Sequence, residues 1–126
     1  MPRRIRPADG RAALEAWCAD AEAPRAVRAT AVRYTLEELA ERAPGHSVEV
    51  RVPPFGVVQC IEGPRHRRGT PPAVVETDAP TWLGLVVGDL TWEEALASGS
   101  VRAGGERAAL EAHLPLTTRP DAERAG

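Results

Sequence analysis

Lysine and asparagine are absent from this 126-residue chain, so all 16 basic residues are arginine. With alanine the commonest residue, that bias reads as a GC-rich coding sequence and carries no functional signal. Cysteine is scarce: Cys18 and Cys60 lie far apart and form no C-x-x-C pair. One disulfide is allowed by count, yet a reducing compartment disfavours it, and two buried free thiols are expected instead. Aromatics make up 4% of the chain, and so few, three of them tryptophan, more often fill a core than a cofactor site. Long apolar runs are missing, and Leu85-Val86-Val87 is closed by glycine on both sides. No membrane span fits such a pattern. Charge of one sign is also missing: 16 basic against 18 acidic residues give −2, which argues against a nucleic-acid binder. The basic start, Arg3-Arg4-Ile5-Arg6, leads into Pro7-Ala8-Asp9-Gly10 without an apolar stretch, so an export signal is not expected and a cytoplasmic location is.

What is present is an ordinary globular composition, 43% hydrophobic and 27% charged. Its length suits one domain able to bury a core without staples. Residues 1–115 are expected to form that domain, with a helical N-terminal part, and 116–126 a flexible tail. Leu14, Trp17 and Cys18 fall at i, i+3, i+4 and predict a helix capped by Asp9. A second helix starts near Arg25. Thr35-Leu36-Glu37-Glu38 has the form of a capping box, which predicts a new helix or a kink there. Pro44-Gly45 stops it.

The period then changes to two. Val48, Val50 and Val52 alternate with Glu49 and Arg51, predicting a strand with one wet face. Val57–Ile61 reads as a second, antiparallel strand, and Ala73–Thr77 as a third. Between them lies a Gly/Pro loop bearing Arg65-His66-Arg67-Arg68. Asp78 or Thr81 can cap a short helix ending at Gly88, and Thr91-Trp92-Glu93-Glu94 is a second capping box. Ser100–Ala103 reads as an edge strand, and 106–113 as a last helix with Leu110 and Leu114 inward. The order predicts an α+β fold, an antiparallel sheet of four to five strands covered by helices on one side.

Nucleophilic catalysis would need a serine, threonine or cysteine held near a histidine. His46, His66 and His113 sit in turns or at helix ends, and no G-x-S-x-G elbow surrounds a serine. Metal-ligand spacings of the C-x-x-C, H-x-x-x-H or H-E-x-x-H kind are missing, and so are phosphate-binding glycine loops. No catalytic residue, metal or cofactor is therefore expected. Two features could make a site. Arg65, Arg67 and Arg68 could hold an anionic head group or an acidic protein patch, or simply keep a loop soluble. Phe55, Val75, Trp82, Leu83, Val86 and Trp92 could line an apolar cleft between helices and sheet, or simply fill the core.

The stretch from Asp78 to Leu110 resembles the C-terminal signature of sterol-carrier-protein-like domains. A helix with an aromatic, a glycine turn, a short helix ending in Ala-x-x-x-Gly, a basic strand and a closing helix follow one another. Trp82, Gly88, Ala95, Gly99, Val101 and Gly104 occupy those places. The strands Val48–Val52 and Val57–Ile61 fit the start of that family's sheet, and the resemblance covers about residues 26–114. The compact chain with leading helices is similar to the small stand-alone bacterial branch. The resemblance implies a carrier domain without covalent chemistry, holding a small lipid-like or acyl-chain ligand in an apolar cleft. A protein-interaction module with a solid core is the competing reading.

Overall fold

The computed structural model describes residues 4–63, 72–103 and 107–118. Helix α1 spans Pro7–Ala19, with a proline in its first turn. The fixed φ of proline suits that position, where its missing N–H has no helical partner anyway. The start therefore precedes the predicted cap, and Asp9 lies inside the first turn with its carboxylate near the positive end of the helix. Helix α2 spans Arg25–Arg42 without interruption. Thr35, predicted to open a new helix, is an interior residue whose hydroxyl donates back to the Ala31 and Val32 carbonyls. An upstream helix of ten residues already satisfies the backbone that a cap would serve.

Four strands follow in sheet order β2-β1-β3-β4: β1 Val48–Val52, β2 Gly56–Cys60, β3 Ala73–Thr77 and β4 Val101–Ala103. β1 pairs antiparallel with β2, with Val50 opposite Val58. β1 pairs in parallel with β3, where Val50 meets Val75, and β3 pairs antiparallel with β4. The sheet is thus mixed and not antiparallel throughout. The connection from β1 to β3 explains the difference. It is long enough for the chain to pass through β2 and return on the other side of β1, as a parallel crossover requires.

β2 ends one residue earlier than predicted because Ile61 turns to φ 67, a left-handed conformation rare for a β-branched residue. Its N–H donates to the Ala43 carbonyl at 2.6 Å, and its own carbonyl accepts from the Ser47 N–H and hydroxyl. Those three bonds hold the turn.

Helix α3, Ala79–Val87, is capped by Asp78, whose carboxylate accepts from the Thr81 N–H at 2.8 Å. It ends at Gly88 with φ 83, where a side chain would be strained. Helix α4, Trp92–Ala97, carries the full Thr91/Glu94 capping box, and α5 spans Arg107–Glu111.

The inward sheet face is Val48, Val50, Val52, Cys60, Val75, Thr77 and Val101, all buried. The outward face carries Glu49, Arg51, Val57 and Gln59 and stays wet, as the alternation in β1 predicts. α2 packs against β2 and α3, and α1 packs against α2. That last contact is close: a Cβ on Gly10 would lie 2.1 Å from Cγ of Tyr34, so only glycine lets the ring sit there. Both cysteines are free and buried. Leu116, assigned to a tail by composition, is 6% exposed, and its N–H donates to the Val86 carbonyl at 2.9 Å. Packing therefore continues past the expected boundary, because an apolar side chain and a spare α3 carbonyl are both available to it.

Candidate functional site

Four segments distant in sequence line a cleft of about 600 Å³. α1 supplies Pro7, Arg11, Leu14 and Glu15; α2 supplies Tyr34, Thr35, Glu38 and Arg42. The end of α3 adds Val86, and the closing wall is Leu116, Thr117 and Thr118. Helical spacing explains the two helix walls: 7, 11, 14 and 15 form one stripe of α1, and 34, 35, 38 and 42 one stripe of α2.

The cleft has an apolar floor and a polar mouth. Leu14, Val86 and Leu116 are buried, whereas Arg11 is exposed. Arg42 fastens the closing wall. Its Nε donates to Oε2 of Glu38 at 2.8 Å, and its Nη1 donates to the Leu116 carbonyl. The Thr117 N–H joins that of Leu116 on the Val86 carbonyl, so α2 and α3 both grip the segment. Below the floor, the Trp82 Nε1–H donates to the Thr35 hydroxyl at 2.8 Å. Thr35 thus accepts from an indole and donates to its own helix, which commits its one proton.

Of the six apolar residues singled out by sequence, Val86 alone lines this cleft. Phe55, Val75, Trp82, Leu83 and Trp92 belong to the packed core, from 0% to 7% exposed. Phe55 also lies beneath the Arg25 guanidinium at 5.1 Å and accepts from Arg33 through its carbonyl. Arg65, Arg67 and Arg68 lie outside the described residues, as does His66. The eleven other lining residues were not anticipated, since no local pattern joins positions 7–15, 34–42 and 116–118. The apolar stripe of α1 was the one available signal.

Chemistry at other places is sparse. His46 pairs through Nδ1 with the Gln59 side chain on the wet side of the sheet, 3.0 Å away. Burial pushes the Cys60 thiol up to about 11, so it stays protonated near neutrality and is a poor nucleophile. Among the described residues no group of three histidines, cysteines or carboxylates could hold a metal, and no helix is long and apolar enough to cross a membrane. The chain matches the family described as bacterial SCP ortholog over residues 24–116. No curated protein matches it. The matched segment begins just before α2 and ends at Leu116, so α1 and its wall of the cleft lie outside it.

Proposed function

Because the chain belongs to the family of bacterial SCP orthologs, we propose that it is a non-catalytic carrier that holds one small lipid-like ligand in the cleft between α1, α2 and residues 116–118. The family is of the sterol-carrier-protein-like kind, generally a carrier domain without catalysis. One observation carries the placement. The cleft, about 600 Å³, lies within the ~300–1,000 Å³ of small-molecule pockets and has buried leucine and valine side chains at its base. An acyl chain laid on Leu14, Val86 and Leu116 would leave water at about 25 cal/mol per Å² of apolar surface covered. A ligand entering between helices and sheet would instead have to displace Val75, Trp82 and Leu83, each at most 1% exposed. Interiors packed to that degree resist such displacement. The two buried free thiols suit a reducing cytoplasm, which the reading includes.

The same solid core is what a protein-docking module would show, and that is the second reading. Native mass spectrometry separates the two. A carrier should show the extra mass of an acyl or sterol-like molecule, lost on denaturation, either as purified or after incubation with mixed lipids. A bare chain throughout both conditions selects the docking module.

A further inference from the structure

Residues 116–118 close the cleft, and they are held unlike its other walls. The walls from α1, α2 and α3 are helical, each turn bonded to the next, whereas the closing wall is an irregular segment that follows α5. Of residues 115–118 only Leu116 is buried; Pro115 and Thr118 are exposed and Thr117 is half-buried. The N–H groups of Leu116 and Thr117 both donate to the Val86 carbonyl, at 2.9 and 3.1 Å. One separation therefore frees both amides together. Upstream, the His113 and Leu114 N–H groups donate back to the Leu110 and Glu111 carbonyls, and Pro115 has no N–H to hold. Pro115 is thus where the anchored turn ends and the wall begins.

A further hold comes from outside the segment. Arg42 reaches over from the last turn of α2, donating through Nη1 to the Leu116 carbonyl and through Nε to Glu38 one turn back. The pair with Glu38, at i and i+4, aims the guanidinium across the gap, and its charge strengthens the bond to the carbonyl. That side chain is 49% exposed, so water can take the place of the bond when the segment leaves. Segments with little buried surface and solvent-reachable hydrogen bonds open well before the fold does.

We propose that residues 116–118 are a strap that swings about Pro115 and opens the cleft, with Arg42 as its clasp. The opening itself needs no ligand; its use as the way in for one rests on the carrier reading above. Arg42 is then a positioning residue, acting through the strap and not on the cargo.

Amide hydrogen exchange of the full chain, followed residue by residue by NMR, tests the strap with wild type, Arg42→Gln and Arg51→Gln. Arg51 loses an exposed ion pair of the same kind, with Glu49 on the outer sheet face. In wild type the Leu116 and Thr117 amides should show equal protection, and less of it than Val32 in α2. Arg42→Gln should speed exchange at both roughly fivefold, the scale of a half-exposed charged contact, and leave Val32 unchanged. Arg51→Gln should change neither. Stopped-flow entry of the apolar dye Nile red should quicken in Arg42→Gln alone, an effect that loss of a ligand contact does not produce. Exchange at Leu116 and Thr117 as slow as at Val32, unmoved by Arg42→Gln, or equally quickened by both substitutions overturns the strap. Faster exchange with unaltered dye entry overturns its use as the way in, while the carrier reading stands. Dye that never binds, with native mass spectrometry also bare, overturns the carrier reading and leaves the strap as a motion of the fold.

Discussion

Thr35 shows how one hydroxyl can join two helices. It takes the indole N–H of Trp82 from α3 while its own proton stays on α2. Replacing it by valine keeps the shape and leaves a buried donor without a partner, which should cost about 1–3 kcal/mol in urea unfolding. Thr35→Ser retains the oxygen and should lie much closer to wild type. If valine and serine are equally stable, the indole bond contributes nothing. Cys60 makes a different prediction at this scale. Burial raises its thiol from the ordinary 9.0 to about 11. The unfolded chain therefore releases this proton first as pH rises. The contribution to stability is complete below about pH 9 and is lost progressively toward pH 11. Across that window the stability of Cys60→Ala should decline less steeply than that of wild type, and parallel slopes would refute the assignment.

The elements show when a local pattern is a sufficient guide. Thr35-x-x-Glu38 and Thr91-x-x-Glu94 have the same form, yet only the second caps a helix. Upstream of Thr91 lie Gly88 in a left-handed turn and two non-helical residues, so the first amides of α4 need an outside acceptor. Upstream of Thr35 the helix is already under way. Thr91 accepts from the Glu94 N–H at 3.1 Å, and Glu94 accepts from the Thr91 N–H at 2.8 Å. Those bonds hold the Glu94 carboxyl below its ordinary range. In a helix of six residues such a cap is a large part of what defines its start. Thr91→Ala should lower the stability measured by urea unfolding by about 1 kcal/mol, and a loss below a few tenths would deny the box its role. Strand positions were legible for the related reason that period two needs only neighbours: β1 and β3 fall where the alternation and the valine run put them. Pairing was not. That β3 lies beside β1 in parallel depends on where a long connection returns, which the alternation within each strand does not encode.

At the scale of the whole molecule, the family could be read from the ordered set of residues between Asp78 and Leu110, and the match over 24–116 agrees with it. The cleft could not, because it is defined by relations between segments about a hundred residues apart. Trp82, Leu83 and Trp92 drew attention as bulky apolar side chains, but bulk and apolarity serve packing as well as binding. The residues that do face the cleft are mostly small, polar or charged, and look individually like surface. The meeting of Pro7 with Thr118 on a single rim has a practical side. A polypeptide joined directly ahead of Pro7 or directly behind Thr118, whether a purification tag or a fused domain, would start beside the opening. A tag at either end is a potential competitor for the pocket, so apparent affinities should be compared between tagged and cleaved protein.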